Sequence, residues 1–552
     1  MIDVSATDPI DDLAPREPRR PIPAVDDAEA VAALAADLAD ARYRVDDVER
    51  LLGPMAAAAL HRGRRIPAIR MLDAAVVRES PESARLATLV RVLLLGLAVD
   101  PRELDAALPR TGATGAASIG IVGPDGSPTI DLRPYAVVDE LGVGQWWVAS
   151  DLGELAVDGP LPTDHVLGIG GATTTLAGLL IGEPVRSALD LGTGCGVLAL
   201  HASRFADRVV ATDISTRAIG FARFTAALSG VDRIEFRVGD LFEPVAGERF
   251  DRVISNPPFV ITPRVAGVPE YDYRDGGLVG DALVEAVVAG VGEVLEPGGI
   301  AQLLGNWEDR SRDEADEADE ADVTDGLDRA GDWAAEAGLD AWIIERDRQD
   351  PAEYAHLWIR DGGQRAGIGS DALESAWLDD FAARGVTGIG FGSMALRRPR
   401  VGAGIRLHRT ERLTGAIGGS VGSAIATGFA AADVLAVLDD RALALATAVV
   451  ADDVTEERHL WPGAEDPTVI LLRQGSGFAR TIQVGTAVAA VVGACDGELP
   501  IGVLCDAVAD VLEVDAAALR AEVLPEMRAL AIAGLVRITP TQARRRRGDH
   551  TI

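Results

Sequence analysis

The sequence predicts an α/β protein whose central domain is a mostly parallel β-sheet covered by helices on both faces. Short apolar runs typical of strands alternate with longer segments of helical periodicity between about residues 160 and 410. A glycine-rich turn joins the first of these strands to a helix, and aspartate or asparagine stands where several later strands end. Because ligands of such sheets bind at the carboxyl ends of the strands, the same pattern predicts a binding site.

The segments before the sheet predict a disordered start and a helical domain. Residues 1–24 are rich in Pro and Asp, which is typical of disorder. From about 26 to 110, apolar residues recur at spacings of three and four, which indicates helices. "ASIGIV" and "TIDLRPYAVV" then predict two strands around a "GPDGS" turn. Helices followed by a hairpin are typical of a winged helix, so we interpret residues 25–155 as a winged-helix-like N-terminal domain.

Residues 156–412 carry the alternating pattern of the central domain. An acidic tract at residues 308–328 interrupts this pattern with eleven acidic side chains and two arginines, which predicts a solvated, disordered insertion. The strands predicted in this domain are "VRSALDLG", "RVVATDI", "RIEFRVGD", "FDRVISN", "IAQLLGN", "DAWIIERD" and "GVTGIGFGSMAL".

The last part of the chain returns to helical periodicity. Residues 413–460 predict a helical connector, and residues 461–540 contain three helical stretches that close on "AGLVRI", the usual entry to a wing strand. We interpret residues 461–540 as a second winged-helix-like module, followed by a basic tail at residues 541–552. The complete prediction is an α/β sheet domain flanked by α+β modules of winged-helix type.

The composition of the chain argues against several classes of protein. The formal net charge of −34 argues against a broadly basic nucleic-acid-binding surface, although nine of these charges fall within the acidic tract. Three cysteines are too few for a disulfide framework and their spacing suits no zinc site, so no metal is predicted. No apolar run resembles a membrane helix and the first residues resemble no targeting signal, which favours a cytoplasmic protein.

The glycine-rich turn lies in "ALDLGTGCGVLAL", residues 188–200. Gly192, Gly194 and Gly196 follow a strand at alternate positions, and without Cβ atoms they can take positive φ angles and let a ligand approach the backbone. A dinucleotide fingerprint requires its third glycine where this chain has Val197, and no lysine follows as it would in a P-loop. The turn therefore argues against both a nicotinamide cofactor and a P-loop nucleotide.

Acidic residues at the strand ends complete a predicted nucleoside site. Asp213 ends the strand after the glycine turn, where a carboxylate can accept hydrogen bonds from both ribose hydroxyls. Asp240 ends the next strand and can accept from an adenine amino group, while the Leu241 amide offers a donor to the ring. With Asp190 beside the glycine turn, three carboxylates fall at one edge of the sheet.

The segment "NPPF", residues 256–259, ends the fourth strand of the domain. The side-chain oxygen of Asn256 and the carbonyl of Pro257 can accept the two hydrogens of a planar amino or amide nitrogen, and two consecutive prolines fix the backbone. Phe259 offers a face on which a flat group can stack. This arrangement aligns a weak nucleophile without removing its proton. The structural alternative is that the motif only ends a strand in a turn.

The motifs "LDLGTGCG", "ATD", "GDLFEP" and "NPPF" together resemble those of class I S-adenosylmethionine-dependent methyltransferases. The resemblance is to the small N-methyltransferase group, which includes rRNA guanine-N2 and adenine-N6 enzymes and release-factor glutamine methyltransferases, and it covers about residues 160–410. It implies a Rossmann-like sheet, S-adenosyl-L-methionine as cofactor, and catalysis at Asn256, Pro257 and Phe259, with Asn256 bordering the cofactor as well. It also implies that residues 173–175 close over the cofactor.

The resemblance leaves the substrate open. Phe259 stands where the glutamine enzymes usually carry tyrosine, which favours the guanine-N2 group, and Asn306 follows the fifth strand roughly where those RNA enzymes place another asparagine. Residues of "PEYDYRDGGLVGDALVEAV" instead resemble the glycine-rich segment of the glutamine enzymes, which implies Tyr271, Tyr273 and Arg274 at the substrate mouth. The structural alternatives are a strand-end turn for Asn306 and surface-loop positions for the other three.

We place a nucleic-acid base, in rRNA or other RNA or DNA, first among the substrates because modules of winged-helix type commonly bind nucleic acid. The acidic balance favours the alternative, a glutamine side chain of a protein. A small-molecule substrate also stays open. So does a protein of another class, one that binds S-adenosylmethionine without transferring its methyl group, although the intact "NPPF" argues against it.

Overall fold

A computed structural model of the chain describes residues 20–78, 80–153, 156–157, 161–265, 268, 271, 273–311, 323–361 and 368–541. Predictions made for residues 1–19, for residues 312–322 of the acidic tract and for residues 542–552 lie outside the described residues. Within the described residues, no helix combines the length and the apolar character needed to cross a lipid bilayer.

A helical domain precedes the sheet and shares a hydrophobic core with it. Leu34, Leu72 and Val92 are 0% exposed, and the cluster to which they belong continues onto Phe221 and Phe224 of the central domain. Its described elements are α1 (Ala28–Asp40), α2 (Val45–Leu60), α3 (Ile66–Arg78), α4 (Pro81–Leu89), α5 (Pro101–Ala107), α6 (Gly112–Ser118), β1 (Asp131–Asp139) and β2 (Gly142–Ser150), with a π-helical turn at Val90–Leu94.

The pairing around "GPDGS" is shorter than the sequence predicted. Val122 and Pro128 form an isolated antiparallel bridge across this turn, and the Gly123 amide donates a hydrogen bond to the Ser127 carbonyl at 2.7 Å. The predicted strand "TIDLRPYAVV" contains β1, but its long antiparallel partner is β2, across a turn at residues 140–141. Ile119 and Ile121 are buried against the helices of this domain, so most of the apolar pattern of "ASIGIV" reflects burial in a helical core. The winged-helix character of this domain stays a prediction.

Nine described strands form one sheet in the central domain, which confirms the predicted α/β class. In chain order they are β3 (Val185–Leu191), β4 (Ala206–Asp213), β5 (Ile234–Val238), β6 (Phe250–Ser255), β7 (Leu295–Ser311), β8 (Val323–Thr324), β9 (Asp340–Gln349), β10 (Val386–Arg397) and β11 (His408–Arg412). Their spatial order is β11-β9-β10-β7-β6-β3-β4-β5, with β8 beside the end of β7.

The pairing is mostly parallel, and its order reverses beside β3. The strands from β5 through β4, β3 and β6 to β7 are parallel, whereas β10 runs antiparallel to both β7 and β9. Because the chain passes from β3 to β4 on one side and β6 lies on the other, a crevice opens at the carboxyl ends of these strands. The described helices of this domain are α7 (Gly171–Leu179), α8 (Val197–Ala202), α9 (Thr216–Leu228), α10 (Ala282–Val294), α11 (Gly326–Glu336), α12 (Pro351–Asp361) and α13 (Ile368–Ala383).

The ends of the acidic tract are ordered and partly buried, contrary to the predicted insertion. Glu308 and Asp309 continue β7 and are 0% and 1% exposed. Arg384 forms an ion pair with Glu308, and Arg348 forms one with Asp309 at 2.6 Å. At the other end, α11 begins at Gly326. These acids can be buried because arginines from distant segments neutralise them, which the local sequence does not reveal.

The C-terminal module begins earlier than predicted, because part of the predicted helical connector is β-structure. The described elements are α14 (Val421–Leu435), α15 (Asp440–Leu445), β12 (Thr447–Val450), β13 (Val454–His459), β14 (Val469–Gln474), β15 (Thr481–Val484), α16 (Thr486–Gly493), β16 (Asp496–Pro500), α17 (Ile501–Leu512), α18 (Ala516–Ile532) and β17 (Val536–Thr539). β12, from the connector, is the centre of a three-stranded sheet between β16 and β17, and β13 pairs with β14. Such short strands leave little signal in the sequence beside long helices. Its winged-helix character stays a prediction.

The segment 20–24 was predicted to belong to a disordered start, but it is bound to the rest of the protein. Arg217 at the start of α9 donates hydrogen bonds to the carbonyl oxygens of Arg20 at 2.8 Å and Pro21 at 3.2 Å. The amide of Ala24 donates to the carbonyl of Ile119 at 2.9 Å. These contacts come from residues far along the chain, so the Pro-rich sequence alone did not indicate them.

Candidate active site

The candidate site lies at the carboxyl ends of β3, β4, β5 and β6, where the strand order reverses. Leu191, the last residue of β3, pairs with Thr212 of β4 on one side and with Ser255 of β6 on the other. Asp213 of β4 pairs with Val238 of β5. These registers bring the glycine turn, the predicted carboxylates and the "NPPF" segment to one edge of the sheet.

The glycine turn leaves β3 with three residues in the left-handed region. φ is +75° at Gly192, +54° at Gly194 and +89° at Gly196, values that are unfavourable for residues with a Cβ. No described atom lies within 4 Å of a Cβ built on Gly192 or Gly194, whereas a Cβ on Gly196 would approach Ala222 to 3.1 Å. The first two glycines keep an open space over the turn, and the third permits close packing of α8 on α9.

Asp213 holds the glycine turn in place. Its Oδ2 accepts a hydrogen bond from the Gly194 amide at 2.9 Å, and its Oδ1 accepts one from the Ser215 amide at 2.8 Å. Ser215 in turn caps α9 by accepting a hydrogen bond from the Ala218 amide. A carboxylate oxygen can accept more than one hydrogen bond, so Asp213 can bind a sugar hydroxyl while it orders the turn.

Asp190 lies beneath the turn and is 0% exposed. Thr193 donates a hydrogen bond to its Oδ2 at 2.6 Å, while its Oδ1 is buried and has no partner among the described residues. Burial raises the pKa of Asp190 from 3.8 to about 7. A buried oxygen without a partner costs free energy that a ligand donor or a bound proton can offset.

We expect the stability of the Asp190→Asn variant to depend less on pH than that of the wild type. Because burial raises the pKa of Asp190 to about 7, the folded protein keeps a proton that the unfolded chain releases near its ordinary pKa of 3.8. The contribution of Asp190 to the free energy of unfolding therefore falls as the pH rises from the lower to the higher of these two pKa values. The decrease is up to about 1.4 kcal/mol per pH unit. Urea unfolding at about pH 5 and about pH 7 measures the difference; equal losses in the two proteins would contradict the raised pKa.

Asp240 and Leu241 follow β5 at the outer end of the site. Asp240 is exposed, so its carboxylate is accessible to a ligand. Leu241 has a φ of +39°, a left-handed conformation that costs a leucine on the order of 1 kcal/mol. The amide of Gly239, just before them, donates a hydrogen bond to the Asp213 carbonyl at 3.1 Å. Strained backbone clusters at ligand sites, which agrees with the role predicted for the Leu241 amide.

Asn256 leaves β6 directly beside the glycine turn. Ser255 before it donates a hydrogen bond to the Leu191 carbonyl at 2.8 Å, and Pro257 after it is buried. The amide nitrogen of Asn256 lies 3.5 Å from Thr173 Oγ1, a long contact that orients the side chain. Its Oδ1 is buried and accepts no hydrogen bond from any residue in the described ranges. An oriented acceptor of this kind fits a ligand that brings N–H groups.

Phe259 packs within an aromatic cluster and is 8% exposed. Its ring centroid lies 5.3 Å from that of Phe391 and 6.4 Å from that of Trp358, and a backbone bridge joins it to Asp275. Little of the ring is therefore accessible, although the sequence predicted an open stacking face. Stacking of a substrate on Phe259 stays a prediction that requires the cluster to open.

Two of the residues predicted at the substrate mouth are buried. Tyr271 is 2% and Arg274 is 5% exposed, and the guanidinium lies 4.6 Å from the Tyr271 ring centroid. Arg274 also donates a hydrogen bond to the Trp358 carbonyl at 2.7 Å, and its own carbonyl accepts one from the Val260 amide at 2.9 Å. Both residues thus fix the segment after "NPPF". Tyr273, which is half-buried, is the member of the trio with access to solvent.

Asn306 is neither a mouth residue nor a strand-end turn, because β7 continues beyond it to Ser311. It is 1% exposed. Its Nδ2 donates a hydrogen bond to the Tyr354 hydroxyl at 2.6 Å, and the same hydroxyl accepts one from the Ile261 amide at 3.0 Å. Asn306 therefore supports the segment after "NPPF" from below. The strand is longer than predicted because the acids that follow Asn306 are neutralised in the folded protein.

Sequence reasoning missed the contribution of α12 and of His165. Tyr354 and Trp358, four residues apart on α12, both contact the "NPPF" segment or the residues just after it. His165 is 3% exposed, and its ring lies 5.9 Å from the ring of Tyr273. An aromatic pair at helical spacing was the available signal for α12, whereas nothing in the local sequence marked His165.

A mostly parallel sheet of this order, with a glycine turn after its first strand and Asn-Pro-Pro-Phe after its fourth, defines the class I methyltransferase fold. Residues 168–268 match the model of the methyltransferase small domain, so the chain contains a methyltransferase small domain at these positions. Residues 40–134 match a second family, described as a domain of unknown function (DUF7059).

Relatives of known name match part of the chain. The release factor glutamine methyltransferase of Xylella fastidiosa is 36% identical over 132 residues, which are 22% of this chain and 48% of the relative. The ribosomal protein uL3 glutamine methyltransferase of Bradyrhizobium diazoefficiens is 36% identical over 179 residues, 30% of this chain and 56% of the relative. The chain thus spans about half the length of these relatives. A methyltransferase from Pyrococcus furiosus aligns in structure with a TM-score of 0.24 and 15% identity, over 41% of this chain and 81% of that one.

Proposed function

We propose that this chain transfers a methyl group from S-adenosylmethionine to the side-chain amide nitrogen of a glutamine in a protein. This choice reverses the order given by the sequence, which placed a nucleic-acid base first. The change rests on the relatives, because those described above are named for methylation of glutamine in release factors and in a ribosomal protein. One observation in this chain carries the proposal. The Oδ1 of Asn256, beside the glycine turn, is buried and has no hydrogen-bond partner among the described residues.

The residues around the glycine turn fit the cofactor. A Cβ at Gly192 or Gly194 would occupy space that is otherwise open to a ligand. Asp213, which already orders the turn, can accept the ribose hydroxyls, and Asp240 and Leu241 would bind the adenine. The buried Asp190 supports this arrangement from beneath through Thr193. When bound, S-adenosylmethionine supplies a methyl group that is activated by its attachment to a sulfonium.

The chain's own contribution is to hold the nucleophile. A carboxamide nitrogen is planar and its lone pair is delocalised, so it attacks poorly unless it is positioned. Asn256 Oδ1 and the Pro257 carbonyl accept its two hydrogens and hold the nitrogen in line with the methyl group. The new C–N bond forms as the bond from carbon to sulfur breaks, and the nitrogen then loses one proton. Because alkylation makes that proton acidic, no strong base is needed.

Charge supports a protein substrate over a nucleic acid. The chain has a formal net charge of −34, which opposes binding to a phosphate backbone. β7 runs parallel to β6 and continues from Leu303, the partner of Ser255, to Ser311 beyond the same edge of the sheet as the site. Residues 312–322, which follow directly, contain seven acidic side chains and one arginine. This run of negative charge in the sequence disfavours a polyanionic substrate.

A labelling experiment tests the proposal. Lysate from a strain that lacks this gene is incubated with the purified protein and methyl-labelled S-adenosylmethionine, then divided between nuclease and protease digestion. We expect the label to be lost to protease and kept after nuclease, and acid hydrolysis to release methylamine from a methylated amide. Loss of the label to nuclease would instead support the second candidate substrate, a nucleic-acid base. The predicted winged-helix character of the flanking modules favours that candidate. The same incubation with the Asn256→Ala variant measures the background labelling.

We expect the Asp213→Ala variant to bind S-adenosylmethionine about 10–100-fold more weakly, because hydrogen bonds to a charged group contribute about 1.5–3 kcal/mol. The variant also releases the Gly194 and Ser215 amides, which Asp213 now binds. Calorimetric titration measures the dissociation constant. Asp232→Ala, which removes an exposed aspartate outside the site, is the matched control. Equal affinities of the two variants would remove Asp213 from the cofactor site.

A further inference from the structure

α12 forms one wall of the site, although it lies far along the chain from the methyltransferase small domain match at residues 168–268. Tyr354 and Trp358 are one helical turn apart and therefore face the same way. The Tyr354 hydroxyl accepts hydrogen bonds from the Ile261 amide at 3.0 Å and from Asn306 Nδ2 at 2.6 Å. These bonds fasten the helix to the segment that follows "NPPF".

Trp358 lies against the aromatic residue of the motif itself. Its ring centroid is 6.4 Å from that of Phe259, with an interplanar angle of 79°. Its carbonyl accepts a hydrogen bond from Arg274 at 2.7 Å, and Arg274 belongs to the segment that pairs with the residues after Phe259. The backbone of Trp358 is thus held by a buried arginine, and its indole ring lies against the aromatic ring of the motif.

The indole nitrogen of Trp358 is buried yet has no hydrogen-bond partner among the described residues. Other tryptophans satisfy this group: Trp147 donates to the Tyr43 carbonyl at 2.8 Å, and Trp307 donates to Glu345 at 2.8 Å. An indole nitrogen can only donate, so the missing partner must be an acceptor. A buried donor left unsatisfied beside the catalytic motif calls for a ligand that completes it.

We propose that the indole N–H of Trp358 binds the carbonyl oxygen of the target carboxamide and so makes α12 a specificity element of this enzyme. The inference rests on the proposed function. A carboxamide carries two N–H donors and one oxygen acceptor. Asn256 Oδ1 and the Pro257 carbonyl account for the donors, and Trp358 supplies the donor that the oxygen requires. The aromatic rings around it exclude water from this hydrogen bond.

The chemistry predicts which kinetic constant changes. Negative charge on the amide oxygen comes from the nitrogen lone pair, and that charge decreases as the lone pair is drawn toward the methyl group. The hydrogen bond to Trp358 is therefore strongest before the reaction. Its loss removes ground-state binding, which raises KM more than it lowers kcat. A residue that only supports the packing of the motif would instead lower kcat.

The first test compares Trp358→Phe with the matched control Trp377→Phe. Trp377 belongs to the same aromatic cluster, with its ring 6.2 Å from that of Tyr354, so its replacement reports the effect of packing alone. The acceptor is a dilution series of lysate from the strain that lacks the gene, with methyl-labelled S-adenosylmethionine as donor. We expect Trp358→Phe to raise the apparent KM about tenfold with little change in kcat or in cofactor affinity. An unchanged KM, or an equal rise in both variants, would overturn the proposal.

A second measurement decides the matter without turnover. In protein labelled with ¹⁵N-tryptophan, the indole resonance absent from Trp358→Phe belongs to Trp358. Addition of N-acetylglutaminamide in the presence of S-adenosylhomocysteine should shift this resonance downfield, as expected when an N–H gains an acceptor. No shift of that resonance would overturn the assignment. If the wild type labels no protein in the lysate, the proposed function fails, and the resonance alone then decides whether Trp358 binds a carboxamide.

Discussion

Replacement of Asn256 by alanine is expected to lower the turnover number by about two to four orders of magnitude, because one oriented hydrogen-bonding group at a reacting centre often contributes that much. The affinity for S-adenosylmethionine should stay near that of the wild type. The neighbouring Ser255 donates a hydrogen bond to the carbonyl of Leu191 at the end of β3, and the amide nitrogen of Asn256 itself lies 3.5 Å from Thr173 Oγ1. The variant therefore removes the acceptor that holds the nucleophile and leaves the carboxylates of the predicted cofactor site in place.

Asn306→Ala is the matched control, since it makes the same chemical change at the other asparagine of the chain. Asn306 Nδ2 donates a hydrogen bond to Tyr354, and its Oδ1 is also buried without a partner among the described residues. Because Asn306 lies outside "NPPF", its loss should lower turnover much less than the loss of Asn256. Initial rates at saturating cofactor and calorimetric titration of S-adenosylmethionine separate the two effects. Unchanged turnover in Asn256→Ala would remove Asn256 from the mechanism. A loss of cofactor affinity as large as the loss of turnover would move its role to cofactor binding.

Replacement of Asp281 by alanine is expected to destabilise the central domain by about 3–5 kcal/mol, the range found when one partner of a buried ion pair is removed. Asp281 is 2% exposed. Its carboxylate accepts hydrogen bonds from Arg310 at 2.9 Å, from Arg329 at 2.7 Å and from the Glu308 amide at 2.9 Å. Without Asp281, these donors lose their acceptor, and the arginines around Glu308 outnumber their counterions.

Asp328→Ala is the matched control for the destabilisation expected of Asp281→Ala. Asp328 is also an aspartate in this part of the chain, but it is exposed in the first turn of α11. Its loss should cost at most about 1 kcal/mol, the contribution of a favourable charge at a helix start. Unfolding by guanidinium, followed by tryptophan fluorescence, compares both variants with the wild type. Trp307 and Trp333 report on it because they lie in β7 and α11, the elements that the ion pairs of Asp281 join. Equal stability of the two variants would show that these ion pairs do not hold the end of β7.

The motif residues could be located from the sequence because their signals are local. A strand that runs into glycines, as before Gly192, or into Asn-Pro-Pro, as before Asn256, can be recognised from a few neighbouring residues. Parallel strands end at one edge of the sheet, so the relative placement of Asp213 and Asp240 followed without a structure. Their roles in binding and catalysis are predictions that the experiments above address.

Other residues could not be placed because their state depends on distant partners. Glu308 and Asp309 belong to a sequence typical of disorder, yet Arg384 and Arg348 neutralise them in the folded protein. Arg274 resembled a loop residue at the substrate mouth, but it is buried over Tyr271 and bonded to α12. A charge pattern read along the chain does not show which opposite charges folding will bring near.

The sequence by itself determined the class of the fold, the edge of the sheet that carries the site and the motif residues that line it. Each of these depends on periodicity or on residues adjacent in the chain. Only the tertiary structure decided which distant side chains pack around the motif. It buried Asn306 and Arg274 beneath the motif and brought the ring of Trp358 in α12 to 6.4 Å from that of Phe259. Contacts between segments about 100 residues apart arise from packing, and packing leaves no local pattern in the chain.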